Sequence, residues 1–159
     1  MSAEETDALG FALGRALADP MVIGLVGEMG SGKTTFVRGL ARGLGVNDPV
    51  NSPTYTLMQR YEGRMRLDHL DAWMEGRERE VLADGAHELL GRDGVSVVEW
   101  ADRVEDWLPV ERLEVNLEVT GELERRAVFR WLGDEGFPGA LDLLEALGSW
   151  VVPDSGSGG

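Results

Sequence analysis

Apolar positions along the 159 residues change their spacing several times, and each change marks an element. Leu9, Leu13, Ala16 and Leu17 repeat at helical spacing behind Ser2-Ala3-Glu4-Glu5, a capping box, so the pattern predicts a helix that must stop at Asp19-Pro20. Met21 to Val26 is an unbroken apolar run, too short for a buried helix, and reads as a strand covered on both faces. From Lys33 to Leu44, Phe36, Val37, Leu40, Ala41 and Leu44 share one helical face, with Gly45 placed to cap the C-terminus. Gly45 to Thr54, with Pro49 and Pro53, reads as a loop. Tyr55 to Tyr61 and Met65 to Asp71 look extended around the turn Glu62-Gly63, which predicts a hairpin. Glu75 to Leu90 is helical in pattern with an interruption near Gly85. Val95 to Val98 is a second short apolar strand, ending in Glu99-Trp100, and Ala101 to Leu108 reads as a short helix or turn before Pro109. Leu113, Val115, Leu117 and Val119 alternate within Arg112 to Thr120. The turn Gly121-Glu122 then leads to a partner strand, Arg125 to Trp131. Ala140 to Leu147 is a closing helix. Residues 1–152 are expected to form one domain, and the Gly/Ser-rich stretch Pro153 to Gly159 a disordered tail. The fold class predicted is α/β: a three-layer domain with a mixed sheet, helices on both faces and a C-terminal antiparallel hairpin.

The chemistry concentrates between the first strand and the second helix. Gly27-Glu28-Met29-Gly30-Ser31-Gly32-Lys33-Thr34 fits the phosphate-binding pattern G-x-x-x-x-G-K-[ST] at every fixed position. Gly27, Gly30 and Gly32 allow a tight turn that brings backbone N–H groups to phosphate oxygens. Lys33 supplies a point charge for the β- and γ-phosphates, and the Thr34 hydroxyl can ligate Mg²⁺. The helix that begins near Lys33 points its positive end at the same anion. The order strand, glycine-rich loop, helix is the one this mechanism needs.

Composition narrows the function further. The chain has no cysteine, which excludes disulfides, thiolate metal ligands and cysteine nucleophiles. It has 29 acidic and 15 basic residues, a formal net charge of −14, which argues against tight unaided binding of nucleic acid. With no long apolar run and no basic-plus-apolar leader, a cytoplasmic protein without a membrane anchor is expected.

A nucleotide site needs an acid directed at the metal and a group near the γ-phosphate. Glu99 ends an apolar strand, where a Walker-B-type acid would sit; the alternative is an ordinary strand-end glutamate. Asp71 ends Leu67-Asp68-His69-Leu70-Asp71, and could equally be a loop carboxylate. Ser52-Pro53-Thr54-Tyr55-Thr56 could sense the γ-phosphate as switch loops do, or could be a loop with local hydroxyl bonds. His69 could be a general base, but a lone strand histidine is more often a satisfied core residue. Trp100 and Trp107 are read as packing, although an aromatic beside the site could cover a nucleotide base.

Together these residues resemble the TsaE family, also called YjeE, small bacterial ATPases of the tRNA threonylcarbamoyladenosine pathway. The resemblance runs from Gly24 to about Arg103, and more loosely through the back hairpin. It is carried by the loop Gly27 to Thr35 with Phe36 to Ala41, by Ser52 to Leu57, by His69-Leu70-Asp71 and by Glu99-Trp100. It implies ATP and Mg²⁺ as cofactors, held by the loop residues through Thr35, with Thr34, Asp71 and Glu99 toward the metal. It implies a role for Glu99 with Lys33 in hydrolysis, and a switch-like loop containing Thr54. It also implies TsaB and TsaD as partners, with ATP hydrolysis resetting that transferase and tRNA met only through the complex. Two neighbours depart from the family pattern: Ala72-Trp73-Met74 follows Asp71, and Ala101 replaces the usual proline after Glu99-Trp100. A small-molecule or nucleoside kinase would share the loop but usually adds an arginine-bearing lid. A GTPase would usually carry an N-K-x-D string, which is absent here. A scaffold that binds ATP without turnover is the third alternative.

Overall fold

A computed structural model of the chain describes residues 1–51, 58–73, 76, 80, 82–134, 136 and 139–148. The predicted capping box forms. The Glu5 N–H donates to Ser2 Oγ at 3.2 Å and the Ser2 N–H to Glu5 Oε2 at 2.5 Å, starting helix α1 (Ala3–Ala16). Strand β1 (Met21–Val26) is buried along nearly its whole length, as its unbroken apolar run requires. Helix α2 (Lys33–Gly43) ends as its sequence predicts. Gly45 takes φ +80°, its N–H donates to Arg42 O at 3.0 Å and the Val46 N–H to Ala41 O at 3.0 Å, a Schellman motif.

The strands are β2 (Met58–Tyr61), β3 (Arg66–Asp71), β4 (Gly94–Glu99), β5 (Arg112–Val119) and β6 (Arg125–Leu132). With β1 they form one six-stranded sheet, in the order β2-β3-β4-β1-β5-β6. The four inner strands are parallel, and the two edge strands run antiparallel to their neighbours. Both predicted hairpins are therefore present, as the two ends of a mixed sheet. The helix expected over 75–90 is described only in part. Leu82–Ala86 and His87–Leu89 are helical, broken at Gly85 with φ +108°, while 74, 75, 77–79 and 81 lie outside the described residues.

The two faces of the sheet are covered unequally. Alternating residues Ile23, Leu25, Val95, Val97, Leu113, Val115 and Leu117 meet α1, α2 and the closing helix α3 (Ala140–Leu147). On the other face, Leu70 and Val98 pack under short helical turns, with Leu82, Ala101, Val104 and Leu108. The chain leaves β1 over the first face and leaves β4 over the second. Their carboxyl ends therefore open a crevice, the usual ligand position in such sheets.

Helices α1 and α2 approach more closely than side chains would allow. Gly10 and Gly14 of α1 lie against the Phe36 and Leu40 carbonyls, and Gly39 and Gly43 of α2 lie against the Asp7 and Phe11 carbonyls. A Cβ at any of the four would sit inside its neighbour's backbone oxygen. This pair of four-residue glycine spacings is not predicted by the local sequence pattern, because its role lies in the partner helix. Two arginines reinforce the crossing. Arg42 Nη1 donates to both carboxylate oxygens of Asp7 at 2.7 and 2.8 Å, and Arg64, from the β2–β3 turn, donates to the carbonyls of Gly14, Arg15 and Leu17 at the end of α1.

Alanine at position 39 would gain about 1 kcal/mol of helix propensity. The clash with the Asp7 carbonyl is worth more, because neither backbone can yield alone. Gly39→Ala should therefore lower the unfolding free energy by about 3 kcal/mol, at the upper end of overpacking costs. Urea titration measures it. Gly136→Ala, where the added Cβ meets open space, should change stability by no more than about 0.5 kcal/mol.

Candidate functional site

The crevice between β1 and β4 is floored by the glycine-rich loop. Gly27 must be glycine for reasons of space, since a Cβ there would lie 2.5 Å from Leu117 O and 2.6 Å from Ser31 Oγ. Gly32, at φ +101°, turns the chain into α2, and Thr6 of α1 lies 3.3 Å from where its Cβ would be. The loop is thus wedged between β5 and α1. Glu28, Met29 and Gly30 form its exposed crest, whereas Ser31 is fully buried beneath it.

Lys33 turns back over this loop. Its ammonium donates to Gly27 O at 2.7 Å, Glu28 O at 2.8 Å and Ser31 Oγ at 3.4 Å, and lies 3.9 Å from the centre of the Trp100 ring. Only 5 % of the residue is exposed. Burial pushes the Lys33 pKa below the ordinary lysine value, while the charges of Glu99, Asp102, Asp71 and Glu28 pull it back up.

Thr34, in the first turn of α2, donates its hydroxyl to Glu99 Oε1 at 3.0 Å. The other oxygen of that carboxylate, Oε2, meets His69 Nε2 at 2.6 Å, and both side chains are buried. With Glu99 ionised, the imidazole tautomer protonated on Nε2 satisfies the contact. The sheet register explains the grouping: Asp71 pairs with Glu99 across β3 and β4, and His69 with Val97. His69, Asp71 and Glu99 therefore leave the same face at the carboxyl end of the sheet. Asp71 also accepts the Trp73 N–H at 3.0 Å.

An aromatic group closes the side of the crevice. Trp100, at φ 59°, is the one non-glycine with positive φ among the described residues. Its ring lies 4.5 Å from that of Trp73, and the Arg103 guanidinium covers both rings and donates to Trp73 O at 2.9 Å.

The structure thus brings Gly27 to Thr34 together with Asp71 and Glu99, with Thr35 half-buried in the first turn of α2. Thr54, with the rest of 52–57, lies outside the described residues. Two sequence readings shift. His69 is fully buried, as a core histidine would be, yet its partner is Glu99. Trp100 does not merely pack; its face meets Lys33. The sequence signal for both was adjacency: His69 lies two residues before Asp71, and Trp100 follows Glu99.

The sheet order and the strand–loop–helix unit define the class, an α/β protein with a fold like that of P-loop NTPases. The chain belongs to the TsaE family: the model of that family, described as threonylcarbamoyl adenosine biosynthesis protein TsaE, matches residues 1–128. The chain is 41% identical over 133 residues to the TsaE of Bacillus subtilis, covering 82% of each chain. It is 38% identical over 124 residues to the TsaE of Treponema pallidum, covering 78% of this chain and 92% of that one. The crystal structure of Bacillus subtilis YdiB superposes with a TM-score of 0.71 at 34% identity, covering 84% of this chain and 83% of that one. No helix among the described residues is long and apolar enough to cross a membrane.

The His69–Glu99 contact generates a stability prediction. His69→Leu removes the donor and leaves a buried carboxylate oxygen without it, which should cost about 1–3 kcal/mol. In a Glu99→Leu background the same change should cost clearly less, because the group it abandons is gone. A double-mutant cycle from urea titrations measures the difference.

Proposed function

We propose that this chain binds and hydrolyses ATP at the glycine-rich loop, and that it does so as the ATPase component of threonylcarbamoyladenosine biosynthesis, working with TsaB and TsaD. The observation that carries the reading is the joining of Thr34 and Glu99 beside the Lys33 ammonium at the start of α2. A phosphate-binding loop, a hydroxyl and an acid are the parts phosphoryl transfer to water requires, and they meet at one point.

In this reading the loop from Gly27 to Thr35 holds the phosphates through its backbone N–H groups and the end of α2. Lys33 neutralises the β- and γ-phosphates. The donor set fits Mg²⁺. It consists of oxygens, and no group of three or more His, Cys, Asp or Glu among the described residues forms a closed metal cage. Mg²⁺ favours that pattern, taking one or two carboxylates and completing its shell with other oxygens, from hydroxyl, phosphate and water. Thr34, Asp71 and Glu99 would hold it, and it would neutralise charge on the reacting phosphates. Glu99 orients the attacking water, and His69 fixes the orientation of Glu99. Thr54 belongs to the proposal as a γ-phosphate sensor on sequence grounds alone.

Membership of the TsaE family supports the pathway, and the resemblance supports the partners. With a net charge of −14, this chain meets tRNA through the complex rather than directly. ATP hydrolysis then resets the TsaB–TsaD transferase between turnovers.

Lys33→Ala should weaken Mg²⁺-dependent ATP binding by about 2–4 kcal/mol, the range for losing a close charged contact. Calorimetry showing equal affinity would end the assignment. Glu99→Ala should keep most of the binding and lose turnover, since a water-orienting carboxylate acts mainly in the transition state. Phosphate release without an added acceptor measures it, and also separates an ATPase from a kinase.

Partner docking should depend on the nucleotide. Affinity for TsaB–TsaD should differ between ADP and a non-hydrolysable ATP analogue, because coupling between two sites is reciprocal. It should fall as salt rises, because an acidic chain favours a basic partner surface. Equal affinity in both nucleotide states, with no effect of partners on turnover, would leave a plain ATP-binding module.

A further inference from the structure

The crest of the phosphate loop is exposed. Met29 is 68 % exposed, and the space beside Gly30 is open. Lys33 and the buried Ser31 hold the loop from below. From above, among the described residues, one side chain is bonded to it: Arg125, at the start of β6, donates from Nη2 to Gly30 O at 3.1 Å. This guanidinium is itself fixed. Its Nη1 donates to Glu124 O at 3.0 Å and to Gly121 O at 3.4 Å, so it closes the β5–β6 turn while touching the loop. The Arg125 backbone N–H donates to Met1 O at 2.9 Å.

We infer that Arg125 is a positioning residue for the phosphate loop, holding the Gly30–Ser31 peptide in the orientation that phosphate binding needs. The inference rests on the nucleotide-binding reading above. A planar trans peptide points its C=O and N–H in opposite directions, so fixing one fixes the other. Arg125 takes the Gly30 carbonyl, and the Ser31 N–H, on the far side of the same peptide, meets Glu28 O at 3.1 Å. Both ends of that peptide are therefore held. Glycine at φ +79° is free to swing when one end is released, and a swing would turn a carbonyl dipole toward an incoming phosphate. Arg125 also brings a fixed positive charge to the rim of an anion site in an acidic chain.

The role is ground-state preorganisation, so its loss should appear in binding rather than in the chemical step. The test uses the full chain with Mg²⁺ and two probes, ATP and inorganic tripolyphosphate. Arg125→Met keeps the aliphatic stem and removes the donors; Arg125→Lys restores one. Arg125→Met should weaken both probes by about five- to twentyfold, or about 1–2 kcal/mol at about 1.4 kcal/mol per tenfold. The loss should fall on KM rather than kcat, and Arg125→Lys should recover part of it. Unchanged affinity for both probes overturns the inference. So does a loss for ATP alone, which would make Arg125 a nucleoside contact. So does a fall in kcat with KM unchanged. If Arg125→Met does not fold, Arg125→Lys alone decides, because a single donor reaching one carbonyl should give an intermediate KM. A parental chain that binds neither probe refutes the nucleotide reading itself, which is a separate result.

Discussion

The rest of the site is arranged around a buried lysine ammonium. Taking a charge out of water costs several kcal/mol unless polar groups replace its hydration. Lys33 finds two carbonyl oxygens, a hydroxyl and an indole face, with four carboxylates acting from further away. Those direct partners are neutral. They stabilise the charge without neutralising it, and so leave its field directed into the crevice. A carboxylate in direct contact would stabilise the ammonium more and leave less of that field for an anion. The depressed pKa of Lys33 records the incomplete compensation.

Packing far from the lysine makes this loop possible. The four glycines at the α1–α2 crossing let the helix backbones meet, and this brings Thr6 of α1 against Gly32, where the loop becomes helix. On the opposite side, Leu117 of β5 leaves no room for a side chain at Gly27. The loop is therefore bounded by a helix and a strand that come from opposite halves of the chain. Core packing and site geometry are coupled here, because a wider helix crossing would move a wall of the glycine-rich loop as well as cost stability.

Most of the scaffold was legible in the sequence because its signals are local. The apolar run at Met21 to Val26, the capping box at Ser2 and Glu5, and the Schellman glycine at Gly45 each lie within a few residues of what they determine. The loop could be read for the same reason, as its motif is contiguous. What escaped was set by tertiary contact. His69 and Glu99 are 30 residues apart and meet only because β3 and β4 pair in parallel register. Arg125 is 95 residues from Gly30. The helix-crossing glycines looked like ordinary glycines, since their function lies in the partner helix's backbone. The two departures beside the site, Trp73 and Ala101, also take on meaning only in space. Trp73 packs against Trp100 with the two rings tilted at 47°, and the Ala101 methyl lies 3.0 Å from where a Gly24 Cβ would be.

In the structure, the groups proposed to bind nucleotide are already bonded to one another. Lys33 is held by Gly27 and Glu28, Thr34 by Glu99, and Glu99 by His69. Nucleotide binding at such a site is an exchange. Each bond made to phosphate or to Mg²⁺ replaces one made within the protein, so only the difference appears as affinity. Exchange of this kind lets small changes in the surroundings shift the balance. A contact that moves the β5–β6 turn would act on Gly30 through Arg125, and one that moves Trp73 would act on Lys33 through Trp100. Both routes run from an exposed or half-exposed group to the loop in two steps. A site that bound phosphate with free, unpaired groups would hold it tightly whatever its neighbours did. A self-bonded site stays responsive to whatever docks beside it, which is the property that the proposed partner-controlled ATPase requires.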